Sequence, residues 1–102
     1  MKEDQLNIDE TSLSVDLSEA TEAVKAARFE DALNLLSIVL KDHPDNIDVL
    51  YLAAVSARYL KKFDDSKKYI EHLLFNAPDM GRAYQELGHL NRDMGDEEKA
   101  VV

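Results

Sequence analysis

PDNIDVLYLAAVSARYLKKFDDSKKYIEHLLFNAP, residues 44–78, holds two apolar-patterned runs joined by a short basic link and bracketed by Pro44 and Pro78. In the first run Ile47, Leu50, Ala53, Ala54, Ala57 and Leu60 recur at steps of one or three, as the buried stripe of a helix requires. Phe63, Ile70, Leu73 and Leu74 form such a stripe in the second, at steps of seven, three and one. Each proline follows a helix, where its missing N–H and fixed φ end the run. Asp45 or Asn46, and later Asp79, are placed to cap the helix that follows. The stretch therefore reads as one helix-turn-helix unit.

Working outward, a shift by the spacing of the two prolines aligns Phe29 with Phe63, Leu36 with Ile70, Val39 with Leu73, and Pro44-Asp45 with Pro78-Asp79. A second shift puts Ala20, Ala54 and Gly88 in one column, Ala32, Ser66 and Ala100 in another, and Ala26, Leu60 and Met94 in a third. The first two columns have one physical reading. A small residue midway along each first helix, opposite a small residue early in each second helix, lets the two axes approach closely.

A period of 34 with these columns resembles the tetratricopeptide repeat (TPR). The third copy carries Tyr84, Leu87, Gly88 and, after a turn at Gly95-Asp96, Ala100. The second keeps Leu50, Ala53, Ala54, Ala57, Ser66, Ile70 and Pro78, and the first Ala20, Ala23, Ala32, Leu36 and Pro44. Asp16 and Glu19 depart from the family's large apolar residues. The resemblance implies an all-α, right-handed α-solenoid of antiparallel helix pairs, with about five helices plus a C-terminal stub. Repeats fall at about 13–46, 47–80 and 81–102, the last truncated, and helices at roughly 17–27, 29–42, 46–60, 63–76 and 80–94, then from 97 onward. Gly95 is the expected left-handed helix stop. The ending Ala100-Val101-Val102 reads as a helix interior, which is the expectation for a piece of a longer chain.

Residues 1–15 form an acidic arm, with Glu3, Asp4, Asp9 and Glu10 against Lys2. Their pattern suits a solvated, disordered segment; the sharper alternative is docking in a groove through Leu6 and Ile8. A net charge of −9 repels phosphate backbones and anionic lipid, so neither nucleic acid nor membrane is an expected partner. The absence of cysteine removes disulfide and thiol chemistry, and no signal-peptide or membrane-spanning pattern stands out, so a cytoplasmic protein is expected.

Catalysis has no support in these residues. His43, His72 and His89 have no metal-ligand spacing, and no glycine-rich phosphate loop exists. No catalytic residue, metal or cofactor is assigned, and the chain reads as a non-enzymatic scaffold for protein–protein interaction. In the family it resembles, first helices line a concave face on which peptides lie. The matching positions are Leu17, Thr21, Val24 and Lys25, then Asp48, Tyr51, Val55, Arg58 and Tyr59, then Arg82, Gln85, His89, Arg92 and Asp93. The ligand-binding set is Tyr51, Val55, Arg58, Tyr59, Arg82, Gln85, His89 and Arg92, suited to an acidic or aromatic partner peptide. The family's lysine and asparagine clamp on a terminal carboxylate is not reproduced. Two alternatives remain open. One is a homodimer through helix 80–94 and the C-terminal stub. The other is the N-terminal accessory region of a larger bacterial enzyme, since RAYQELGHLNRDMG (82–95) is similar to repeats that precede sulfotransferase domains.

Overall fold

A computed structural model describes residues 15–101, which form five helices and, among the described residues, no strand. The helices are α1 (residues 15–25), α2 (Phe29–Asp42), α3 (Ile47–Tyr59), α4 (Phe63–Asn76) and α5 (Gly81–Val101). Most of the expected arm lies outside the described residues. No helix among them is long and apolar enough to cross a membrane.

The repeat recurs in the backbone itself. Ala27 and Lys61, one period apart, are the two non-glycine residues with positive φ among the described residues, at 59° and 62°. Each closes the same helix end. Arg28 N–H donates to Ala23 O and Lys62 N–H to Ala57 O, both at 2.8 Å, while Ala27 and Lys61 donate to Val24 O and Arg58 O. These are Schellman caps, satisfying carbonyls that the helix leaves open. The turns after α2 and α4 match as well, with His43 N–H on Val39 O and Ala77 N–H on Leu73 O. Pro44 and Pro78 come next, as expected.

Asn46 is the cap of α3, its side chain accepting from Val49 N–H at 3.1 Å. Asn46→Ala should cost about 1 kcal/mol of stability, measured as a lower midpoint in urea. Met80 immediately precedes α5, so Asp79 stands one residue too early to be its N-cap.

Helix α3 is the centre of the packing. Val49, Ala53 and Ala57 meet Ala20 and Ala23 of α1 and Ala32, Leu33, Leu36 and Val39 of α2. Leu50 joins Leu73 of α4 and Ala83 of α5, and Ala54 joins Ile70 and Leu90. Tyr69 packs against all three groups. In the first two units the small-residue columns are buried, with Ala20, Ala54, Ala32 and Ser66 all 0 % exposed, whereas Gly88 in the third is exposed. Close approach is direct at Ser66, whose hydroxyl donates to Ala54 O at 2.8 Å.

The C-terminal turn is a correction. Helix α5 runs without interruption from Gly81 to Val101, and Gly95 has no positive φ. Among the described residues no turn at Gly95-Asp96 and no separate stub form. The reason is a balance of packing against propagation. After Lys61 the chain gains a helix that buries Ser66, Ile70 and Leu73. Between Gly95 and Val101 only Ala100 falls in a matching column. Continuing the helix instead adds one hydrogen bond per residue through good helix formers, Glu97 to Ala100, and outweighs the ~1 kcal/mol cost of one glycine. Glu97 also lies 3.4 Å from Lys61.

Candidate functional site

Where α5 lies on α3, an arginine sits between them. Arg58 is 7 % exposed. Its Nε and Nη2 donate to Oε2 and Oε1 of Glu86, the second at 3.3 Å, and its Nη1 donates to Asp93 Oδ2 at 2.8 Å. Glu86 is itself 2 % exposed. The other oxygen of Asp93 accepts from Nε and Nη2 of Arg92, at 3.1 and 3.0 Å. A two-pronged guanidinium–carboxylate pair suits burial because each charge satisfies the other's hydrogen-bonding needs. The Arg58 guanidinium also lies 4.5 Å from the Tyr59 ring centroid, and Tyr59 stacks on Phe29 with centroids 4.4 Å apart.

Electrostatics follow from this geometry. Burial works against the Arg58 charge, but hydrogen bonds to Glu86 and Asp93, with the charge of Glu86, outweigh it and raise its pKa further. The hydrogen bond from Arg58, aided by Arg92, holds the Asp93 carboxyl below its usual range against partial burial.

Arg58 therefore does not belong with the ligand-contacting residues. Its guanidinium is committed to two carboxylates of the neighbouring helix, and its role is to join α3 to α5. The others divide by exposure. Tyr51 and Val55 are half-buried, while Tyr59, Arg82, Gln85, His89 and Arg92 are exposed. Arg82 crosses from α5 to lie 4.7 Å from the Tyr51 ring centroid, with Nη2 3.7 Å from Asp48 Oδ1. On α1, Leu17 and Val24 pack against the core, Thr21 donates to Leu17 O, and Lys25 lies 3.7 Å from Glu22. The face that gathers charge and aromatic rings is thus that of α3 and α5. Beside Tyr59 a cavity of about 290 Å³ is lined by Phe63, Lys61, Asp93, Asp96 and Glu97 as well as Arg58.

Sequence reading missed Glu86, the residue that fixes Arg58. A signal for it exists: Glu86 lies on the same helical stripe as Ala83 and Leu90, where an acid can be buried only against a cation. Among the described residues no group of three or more potential ligands could hold a metal. His72 is exposed and pairs with Asp45 at 2.7 Å, and His89 stands exposed on α5.

One buried polar side-chain atom has no partner among the described residues, Ser56 Oγ in the last turn of α3. Ser56→Ala removes an unsatisfied hydroxyl and improves helix propensity, so it should be neutral or stabilise by up to about 1 kcal/mol. Thermal melting of the two chains checks it.

No protein-family model, curated protein or solved structure matches this chain.

Proposed function

We propose that the chain is a TPR-like right-handed α-solenoid whose first helices form a non-catalytic surface for a partner peptide or protein. The recurrence of caps and turns at the period of the sequence repeat supports this reading. The observation that carries the functional reading is the exposed set Arg82, His89 and Arg92 on α5, with Arg82 over the Tyr51 ring, on a chain of net charge −9. A cationic, aromatic strip on an acidic body attracts carboxylate-bearing, aromatic peptides. The acidic remainder of the surface repels the same ligand and so directs it to the strip.

The test is a titration with a fluorescent peptide of alternating glutamate and tyrosine. Arg82→Ala with Arg92→Ala should weaken binding by about 2–3 kcal/mol for the pair, from lost charge-assisted hydrogen bonds, with helicity unchanged. Equal affinity of the two chains would remove the strip from the binding surface.

A further inference from the structure

The segment that leads into α1, residues 1–14, lies outside the described residues and reads MKEDQLNIDETSLS. It carries two pairs of carboxylates, Glu3-Asp4 and Asp9-Glu10, on either side of Leu6 and Ile8. Acids around an apolar centre are what a strip of Arg82, His89 and Arg92 attracts, and here the same chain supplies them.

The place where this segment joins the fold favours that strip. Helices α1, α3 and α5 run parallel, because α2 and α4 reverse the chain between them through short turns. Their N-terminal ends therefore share one edge of the molecule, and residue 15 starts α1 at that edge. Arg82 is in the first turn of α5, and its guanidinium lies over the Tyr51 ring of α3. Packed helices stand about 8–10 Å apart, so that guanidinium is about one helix spacing from α1. A chain extended back from Val15 covers about 20 Å to Asp9 and about 36 Å to Asp4. The first pair of acids reaches Arg82 with slack. The second reaches Arg92, which lies about 15 Å further along α5. Leu6 and Ile8 then fall between the two cations, near the half-buried Tyr51 and Val55.

Other surfaces suit the segment less. The hollow of about 330 Å³ beside α1 and α2 has Glu19, Glu22 and Asp31 against Arg28 alone, and repels carboxylates. Lys62, Lys67 and Lys68 lie about the start of α4, at the opposite edge, interspersed with Asp64 and Asp65.

We propose that residues 3–10 lie across the α3–α5 face of their own chain as a built-in competitor for the acidic peptide. Asp9 and Glu10 face Arg82, Glu3 and Asp4 face Arg92, and Leu6 and Ile8 cover Tyr51 and Val55. The inference rests on the peptide-strip reading, to which it adds a regulator. A partner must displace the segment, so its measured affinity falls short of what the open strip offers.

The chain has no cysteine, so Asn7→Cys carries a single nitroxide label between Leu6 and Ile8. Nuclear magnetic resonance should show the amides of Tyr51 and of Arg82 to His89 broadened more than those of α4. Leu6→Ser with Ile8→Ser keeps every charge. It should cut that broadening to about half and tighten the glutamate–tyrosine peptide about threefold or more in titration. Equal peptide affinity of the two chains, or broadening indifferent to the substitutions, overturns the proposal and leaves the strip reading standing. Binding to neither chain is a different result, which removes the strip reading and the competitor with it. Broadening passed from labelled to unlabelled chains in a mixture would assign the segment to a second copy and overturn the own-chain contact.

Discussion

Arg58→Ala is expected to destabilise the fold by about 3–5 kcal/mol, the cost of breaking a buried ion pair from one side. The size of the effect comes from what remains, not from what is removed. Glu86, 2 % exposed, keeps its place on the buried stripe of α5 between Ala83 and Leu90 and cannot turn to water without carrying the helix with it. The loss should therefore concentrate in α5, and hydrogen exchange there should rise more than in α2. Double replacement distinguishes this account from a simple loss of contacts. Arg58→Met with Glu86→Leu removes both charges and fills similar volume, so it should recover most of the lost stability. Equilibrium unfolding in urea measures both, and a single variant no less stable than the parent would refute the account.

The same cluster has a pH signature. Asp93 has a folded pKa depressed below its unfolded value of about 3.9, chiefly by the Arg58 hydrogen bond. A depressed carboxylate contributes stability that is present above the unfolded pKa and lost as pH falls through the folded one. The parent should thus lose stability below about pH 4 faster than a chain in which Arg58 is replaced. Arg58 itself titrates far above this range and adds nothing to the acid limb.

Much of the fold was legible because the signals that set it are local. The prolines, the apolar steps and the columns of small residues place α2 and α4 to the residue, and α3 to within one. The site was less legible. Arg58 and Glu86 stand far apart in sequence, and no local spacing links them; their pairing exists only because α5 is laid on α3. The reading of Gly95 failed for a related reason. Its column is the left-handed one, since Ala27 and Lys61 occupy it with positive φ. Yet a residue's tolerance for a turn does not make the turn. At Ala27 and Lys61 a full helix of buried side chains follows and offsets the ~1–2 kcal/mol strain of a left-handed non-glycine residue. At Gly95 that strain is absent, and the helix continues to Val101.

Ala54→Leu is the second large effect, an expected loss of about 1–3 kcal/mol from overpacking. Ala54 is 0 % exposed, and Ser66 on α4 approaches closely enough to donate to its carbonyl at 2.8 Å. Three extra carbons have no room unless α4 moves away, which would break that bond and open the contact with Ile70. The matched control is Gly88→Leu, the same side chain placed one repeat later. There the helix gains propensity worth up to about 1 kcal/mol, and the added Cβ has nothing within 4 Å among the described residues. Opposite shifts in melting temperature for the two variants are the expected result. Loss of stability in both would mean that α5 is covered as α3 is, and a steady melting temperature for Ala54→Leu would mean that the small-residue column does not mark the α3–α4 contact.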